Sequence, residues 1–310
     1  MLQASQRKSG GVHVVPELMA RVRQIHLRTH RLVNTALAGS YRSTFRGQGI
    51  EFEEVRPYVP GDEVRAIDWN VTARAGEPYV KSYREERELT LHLLVDTGLA
   101  MDFGTHRWTK REAAAQFAGL LAMVALRYQD RVGLTLFGDQ PGLHLPSGKG
   151  SNHVMRLIRE VVAAPTTPGR SDLTAVLEAQ ERALHRRSLI FIVSDFLGGL
   201  RDAHWGTCLA RLARRHDVIA VRVVDPLEEE LPDVGLVSMR SMQDGQLVEV
   251  DASARLVRAA WNEAAAARRA KIHEVLTRAG VDRFDLRIGE DLADPLVAFF
   301  RRRETRRRLA

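Results

Sequence analysis

The sequence has little cysteine and no long apolar run. Cys208 is the one cysteine among 310 residues, so no internal disulfide bond can form, and a reducing compartment is favoured. The longest mostly apolar stretch, Ala113–Leu126, is too short to cross a bilayer. Residues Met1–Val15 lack the apolar core of a secretory signal. These absences predict a cytoplasmic protein without a transmembrane segment, in which Cys208 is a small buried hydrophobe.

Basic residues exceed acidic ones, but the excess lies mostly at one end of the chain. The 46 Lys and Arg residues against 39 Asp and Glu give a net charge of +7. Arg301–Ala310 holds six Arg and one Glu, which is +5, so the rest of the chain carries +2. We interpret this segment as a solvated, frayed tail. Weak nucleic-acid binding through the tail stays open as an alternative, because arginines neutralise phosphates.

The pattern of the chain divides it into three regions, residues 1–88, 89–225 and 226–310. The first region begins with a predicted helix, Pro16–Ala38, which Gly39 ends. Short β-prone runs between turn signals then predict a small β-rich insert over Gly47–Glu88. In the third region we expect a hairpin turning at Gln243–Gly245. A helix, a strand and a second helix follow it: Ala252–Ala279, Arg283–Ile288 and Pro295–Arg303.

The second region alternates strands and helices. Its first strand, Leu89–Asp96, is almost continuously apolar, as expected for a strand covered on both faces. Such alternation predicts an α/β fold with a doubly wound, mostly parallel sheet. Gly142–Leu145 is expected to be an antiparallel partner of the strand before it. The other strands and the helices are predicted at Arg131–Phe137, Ser188–Val193, Asp217–Val224, Lys110–Tyr128, Asn152–Val162, Leu173–His185 and Ala203–Arg215.

Polar side chains follow the ends of two of these strands. Asp96 ends the first strand, Asp195 follows Ser188–Val193, and Ser171 lies just before a predicted helix. Because ligand sites of open α/β sheets form outside the carboxyl ends of the strands, we expect these three side chains at one edge. An aspartate in such a place can also simply cap the next helix.

This arrangement resembles the von Willebrand factor A fold and its metal-ion-dependent adhesion site. The resemblance implies that Asp96, Ser171 and Asp195 stand where that site has ligands. Gly98 and Ala100 stand where it has two serines, and they offer no side-chain oxygen. Magnesium requires near-octahedral oxygen ligation, so the sequence predicts a degenerate site. Mg²⁺ binding stays open beside an acidic pocket without metal, and no other cofactor is expected.

A longer resemblance lies upstream of the first strand. It is similar to the signature of the "domain of unknown function 58" family, whose members have a von Willebrand A-like domain. The resemblance implies an adaptor that works beside MoxR-type AAA+ ATPases in the maturation of other proteins. Shorter matches extend it over nearly the whole chain. The segments that carry it are Gly49–Asp62, Val64–Asn70, Thr72–Arg74, Pro78–Lys81 and Glu85–Glu88, with Asp225–Pro226, Leu231–Gly235 and Phe299–Arg302 further on.

Charges of alternating sign fill the signature. They predict an ion-pair network that fastens the insert to the sheet, with Tyr58 and Trp69 supplying packing area. The alternative interpretation is a docking surface for a partner. The charged residues are Arg56, Asp62, Arg65, Asp68, Arg74, Glu85, Glu86 and Arg87.

Two functions from different classes follow. The first is a non-enzymatic protein-interaction module with an AAA+ ATPase as its partner. The second is a metal-dependent enzyme that uses the acidic edge at Asp96 and Asp195. The sequence lacks a phosphate-binding loop and a hydrolase nucleophile motif, so no small-molecule substrate is evident.

Overall fold

The computed structural model describes residues 23–25, 27, 29, 32, 33, 35–45, 49–64, 67–86, 88–167, 169–200, 202, 204–240 and 246–309. The strands are β1 (Gly49–Pro57), β2 (Tyr79–Glu86), β3 (Thr90–Asp96), β4 (Arg131–Phe137), β5 (Pro141–Gly148), β6 (Leu189–Ser194), β7 (Asp217–Val224), β8 (Leu236–Arg240), β9 (Leu247–Asp251) and β10 (Asp282–Arg287). The helices are α1 (Thr35–Phe45), α2 (Trp69–Ala75), α3 (Lys110–Arg127), α4 (Ser151–Ala163), α5 (Leu173–Ala183), α6 (His204–Arg215), α7 (Pro226–Glu229), α8 (Arg255–Arg278) and α9 (Ala293–Leu309).

Six strands form the central sheet, in the order β10-β7-β6-β3-β4-β5. All neighbouring pairs are parallel except β4 and β5. The chain therefore starts in the middle of the sheet at β3, winds outward to one edge, and returns to build the other side. This is the order of a doubly wound sheet, and it confirms the predicted fold class.

Helices cover both faces of this sheet. Leu91, Leu93 and Val95 of β3 belong to an apolar cluster that includes α1, α3, α4 and α9. Leu94 belongs to a second cluster, on the opposite face, with α5, α6 and α8. Because side chains alternate across a strand, one continuous apolar run supplies both layers.

The N-terminal helical part differs from its prediction. Residues 23–25, 27, 29 and 32 are helical, but the predicted stop at Gly39 is wrong, since Gly39 lies inside α1. Tyr41 and Phe45 are buried, and their rings lie 6.4 and 4.9 Å from the ring of Phe300. This tertiary packing outweighs the low helix propensity of glycine.

The insert combines a two-stranded sheet with an unpredicted helix. β1 and β2 pair antiparallel, with a register shift between Phe52 and Glu54. Between them lies α2, capped by Asp68, whose side chain accepts hydrogen bonds from the amides of Asn70 and Val71. Gly76 ends it in the left-handed conformation, with φ of 78°.

The third region contributes to the central sheet. β8 and β9 form the predicted hairpin, whose turn at Gln243–Gly245 lies outside the described residues. β10 pairs with β7 at the edge of the central sheet, and α9 packs against α1. Among the described residues, no helix combines the length and the apolar character needed to cross a membrane.

The prediction of a frayed basic tail is wrong for the described part of that segment. α9 continues to Leu309, and Arg303 is buried. Its guanidinium pairs with Asp217 and, at 2.6 Å, with Asp282, and lies 5.2 Å from the ring of Phe45. Arg303 is therefore a bridge between α9 and two strands of the sheet.

Candidate functional site

The strand-end edge, formed by Asp96, Ser171, Ser194 and Asp195, lies at the carboxyl ends of β3 and β6. These two strands are parallel neighbours, so Asp96 and Ser194 end side by side. Ser171 joins them because Asp172 caps α5, accepting a hydrogen bond from the Ala175 amide at 2.9 Å. The structure thus brings Asp96 and Ser171 into contact, with Ser194 as a third member that was not predicted.

Hydrogen bonds occupy both oxygens of the Asp96 carboxyl group. The Ser171 hydroxyl donates to Oδ1 at 2.5 Å, and the Gly98 amide donates to the same atom at 2.8 Å. The Ser194 hydroxyl donates to Oδ2 at 2.6 Å. Burial, and then the charge of Asp195, raise the pKa of Asp96 to about 6, against the opposing effect of these hydrogen bonds.

A buried lysine holds the second carboxylate of the edge. The side chain of Lys110, at the start of α3, has no solvent exposure. Its ammonium donates to Asp195 at 2.9 Å and to Glu228 at 2.6 Å. Burial disfavours the charge, but the two carboxylates outweigh it and raise the pKa of Lys110 above its ordinary range. Lys110 is therefore a fixed positive charge beside the strand ends.

Neither Lys110 nor Glu228 was predicted as part of the site. They lie 118 residues apart in sequence and meet because α7 follows β7, two strands away from β3. α7 is itself held by Asp225, which accepts hydrogen bonds from the Thr105 hydroxyl at 2.7 Å and from the Leu227 amide at 2.8 Å. No motif in the sequence marks either residue, because they meet only through the fold.

The residues at this edge do not fit a divalent cation. At Gly98 a Cβ atom would lie 2.3 Å from the Ser171 hydroxyl, so a serine at this motif position would displace that hydroxyl from Asp96. The carboxylate oxygens that would ligate a metal instead accept hydrogen bonds from hydroxyls, an amide and the Lys110 ammonium. Two neighbouring side chains that carry oxygen are also engaged by other groups. Thr97 donates to the Phe137 carbonyl, and Asp102 pairs with Arg111 at 2.7 Å. Gly98 and Ala100, at the two serine positions of the motif, offer no side-chain oxygen to the octahedral shell of a hard cation.

Two cavities lie beside the sheet. One, of about 210 Å³, adjoins Asp195 and is lined by Arg222, Glu228, Trp261 and Arg268. The other, of about 320 Å³, is lined by residues such as Trp108 and lies apart from the strand-end edge. Sites for small molecules usually measure roughly 300–1,000 Å³, so the cavity next to Asp195 is small for a substrate.

The charged signature residues are only partly brought together. Arg56 donates to both oxygens of Asp62, at 2.7 and 2.6 Å, and this pairing lowers the pKa of Asp62 to about 2. Asp68 caps α2, and Arg74 is exposed on that helix. Glu85 and Glu86 lie on β2 opposite β1. Arg65 and Arg87, the remaining members of the predicted network, lie outside the described residues.

The prediction that Trp69 supplies packing area is wrong. Its side chain is 67% exposed at the first turn of α2, while Tyr58 is only partly exposed. Asp68 and Gly76 cap the two ends of this short helix, and none of its residues is buried. An exposed tryptophan fits the alternative interpretation of this region, a docking surface, better than a packed scaffold.

The strand order and the strand-end residues define an α/β protein with a von Willebrand A-like fold. The chain belongs to the family "Protein of unknown function DUF58", whose model matches residues 54–271. An uncharacterized protein of Mycobacterium tuberculosis is 33% identical over 286 residues, which cover 92% of this chain and 89% of that protein. A second, from Mycobacterium avium, is 33% identical over 51% of this chain and 93% of its own length. The family predicted from the sequence is confirmed.

Two solved structures are similar to this chain. The conserved hypothetical protein BatB of Bacteroides thetaiotaomicron is 11% identical, with a TM-score of 0.47 over 70% of this chain and 99% of that one. The SpRpn10 VWA domain is 14% identical, with a TM-score of 0.38 over 68% of this chain and 94% of that one.

Proposed function

We propose that this chain is a non-enzymatic module that binds another protein through its signature loop, of which the structure describes residues 58–64 and 67–69. The observation that carries the proposal is the exposure of three large apolar side chains on this loop. Trp69 is 67% exposed, Val64 61% and Val59 56%. Exposed apolar groups rimmed by charges are typical of protein-binding surfaces, and tryptophan is enriched among the residues that dominate binding energy.

Hydrogen bonds fix the two ends of the signature loop in the absence of a partner. The Tyr58 amide donates to the Pro78 carbonyl at 2.9 Å, and the Asp68 amide donates to the Tyr79 carbonyl at 2.8 Å. The two ends of the loop are thereby fastened to adjacent residues at the start of β2. Val59 directly follows Tyr58, and Trp69 directly follows Asp68. Both exposed side chains therefore lie close to the start of β2.

The carboxylate of Asp62 also stabilises the conformation of the loop. Asp62 accepts the two hydrogen bonds from Arg56 and a third, at 2.9 Å, from the Val59 amide. Bidentate arginine–carboxylate pairs fix orientation as well as distance. A loop that keeps its bound conformation loses less entropy on association, which favours binding.

The strand-end edge supports a non-enzymatic function. Its candidate acids and bases are engaged by Ser171, Ser194 and Lys110, all within hydrogen-bond distance. The poor fit of this edge to a divalent cation disfavours the metal-dependent enzyme. From the family resemblance we infer that the partner is a MoxR-type AAA+ ATPase of the cytoplasm, and that the pair acts in maturation or assembly of other proteins.

Affinity capture tests both parts of the proposal. The full-length chain with an affinity tag is used to capture partners from a lysate of its native host, with and without ATP and Mg²⁺, followed by mass spectrometry. We expect an AAA+ ATPase with the unaltered chain. The double variant Val64→Ser, Trp69→Ala weakens binding to the purified ATPase by roughly 30-fold or more, as loss of a dominant interface residue does.

Leu256→Ala is the matched control, because Leu256 is 84% exposed on α8 and lies outside the signature loop. It should bind as the unaltered chain does. Equal binding by the signature-loop variant would overturn the docking surface, whereas capture without any AAA+ ATPase would overturn the choice of partner.

A further inference from the structure

A second cluster of ligand-type side chains lies between α5 and α6. Glu178 belongs to α5, and His204 and Cys208 lie one turn apart on α6. Glu178 Oε1 is 3.8 Å from His204 Nε2 and 3.9 Å from Cys208 Sγ. The three ligand atoms all lie within 4.8 Å of one another. None of them takes part in the strand-end edge or in the signature loop.

We propose that Glu178, His204 and Cys208 form a zinc site, with water as the fourth ligand. Zinc binds thiolate sulfur at about 2.3 Å and imidazole nitrogen or carboxylate oxygen at about 2.0–2.2 Å, in tetrahedral geometry. Ligand atoms in such a tetrahedron are therefore roughly 3.3–3.6 Å apart. The two separations from Glu178 Oε1, 3.8 and 3.9 Å, exceed this by a few tenths of an ångström, and the third pair of ligand atoms lies within 4.8 Å. Side-chain rotations close these gaps.

The mixture of ligands selects the class of cation. A thiolate and an imidazole favour zinc and related transition metals, whereas magnesium and calcium prefer oxygen alone. Cys208 is 1% exposed, so it lies on the buried side of the site. The side chain of His204 is 55% exposed, so a metal ion can reach the site from solvent on that side. The site therefore combines a soft, buried ligand with an accessible one.

The helix that carries two of the ligands is fixed locally. Residues four apart on a helix share a face, so His204 and Cys208 point to the same side of α6. Asp202 accepts a hydrogen bond from the His204 amide at 2.8 Å, which holds the start of α6. Thr174 on α5 also contacts Asp202, so the two helices are already tied together next to the cluster.

A cation already lies against this cluster. The Arg211 guanidinium is 3.5 Å from Cys208 Sγ and 4.0 Å from Glu178. It also donates to Glu181 at 3.1 Å, so it keeps a partner when it moves aside for a metal. Zinc binds the thiolate, so the Cys208 thiol releases its proton to solvent as the sulfur–zinc bond forms.

Cobalt titration of the metal-free, full-length protein tests the proposal. Thiolate coordination of Co²⁺ gives a charge-transfer band in the near ultraviolet, and Cys208 is the sole cysteine of the sequence, so the band reports on this sulfur. We expect saturation at one equivalent and displacement by Zn²⁺. Cys208→Ser abolishes the band, and His204→Ala and Glu178→Gln each weaken binding by roughly tenfold or more.

His273→Ala is the control, because His273 is an exposed histidine on α8, outside the cluster. It should leave the band and the affinity unchanged. If Cys208→Ser fails to fold, His204→Ala decides, since its side chain is largely exposed. No thiolate band in the unaltered protein, or unchanged affinity in both His204→Ala and Glu178→Gln, would overturn the site.

Discussion

The Lys110 ammonium lies 2.9 Å from the Asp195 carboxylate, although the Lys110 side chain is completely buried. It also lies 2.6 Å from Glu228, so one positive charge faces two carboxylates. Asp195, which stands where the resemblance to a metal-ion-dependent adhesion site implies a ligand, is thus paired with a cation of the chain itself. Lys110 thereby couples the start of α3 to β6 and α7.

Replacing Lys110 tests how strongly this charge is needed. Lys110→Met leaves the buried Asp195 and the partly buried Glu228 without their partner, and we expect it to lower the free energy of unfolding by roughly 3–5 kcal/mol. Urea denaturation followed by circular dichroism measures the loss. Lys149→Met is the control, because Lys149 pairs with Glu88 in an exposed position. Equal stability of the two variants would contradict the role assigned to Lys110.

Asp96 makes stability depend on pH. Its pKa in the folded protein is about 6, above the ordinary value of 3.8, so the folded state binds this proton more tightly. The contribution of Asp96 to stability is therefore complete below about pH 4 and is lost as pH rises to about 6. Asp96→Asn lacks this titration. The difference in unfolding free energy between wild type and Asp96→Asn should fall across that window and then level off.

Urea titrations at a series of pH values measure that difference. Burial lowers the pKa of His92 to about 3, and this affects both proteins alike, so His92 cancels in the comparison. A difference that grows between pH 4 and 6 would show that the sign assigned to Asp96 is wrong.

Gly98 can be tested by restoring the serine of the adhesion-site motif. We expect Gly98→Ser to lower the free energy of unfolding by roughly 1–3 kcal/mol, because its Cβ would crowd the Ser171 hydroxyl. Calorimetric titration should detect no gain of Mg²⁺ binding. Gly39→Ser is the control, since a Cβ there meets no atom within 4 Å. Stoichiometric Mg²⁺ binding by Gly98→Ser would contradict the poor fit of this edge to a metal.

Arg303 distinguishes a structural helix from a charged tail. Arg303→Met breaks the contacts with Asp217 and Asp282 and should lower the free energy of unfolding by roughly 3 kcal/mol. Arg302→Met removes the same charge from an exposed neighbour and should stay within roughly 0.5 kcal/mol. Thermal and urea denaturation of both variants measure the contrast. Similar losses would mean that net charge, and not the buried contacts, decides stability.

Four strands of the central sheet, β3, β4, β6 and β7, could be predicted because each is a short, mostly apolar run. The edge strands β5 and β10 are more polar and were expected from alternation and turn signals. Arg131–Phe137 and Asp217–Val224 have the predicted bounds, and the other strands of this sheet differ by a few residues. The failures share a cause: α1 passes Gly39 and α9 extends to Leu309 because of packing against distant residues. Local helix propensity does not depend on such contacts, so it could not predict where these two helices end.

The strand-end edge was predictable only in part. Asp96, Ser171 and Asp195 could be expected from the topology, since strand ends meet at a sheet edge. Lys110 and Glu228 could not, because no sequence spacing links two side chains that meet through the fold. The exposure of Trp69 could not be predicted for another reason. An aromatic residue in a polar segment is equally compatible with packing and with docking.

The contact between α1 and α9 also has a consequence for synthesis of the protein. The Thr44 hydroxyl donates to the Phe300 carbonyl at 3.1 Å across 256 residues of chain, and the Phe45 and Phe300 rings lie 4.9 Å apart. A nascent chain still on the ribosome therefore exposes the part of α1 that packs on Phe300 until α9 has been made. This part of the core therefore forms late in synthesis. Incomplete chains expose an apolar surface that is prone to aggregation and is a target for chaperones.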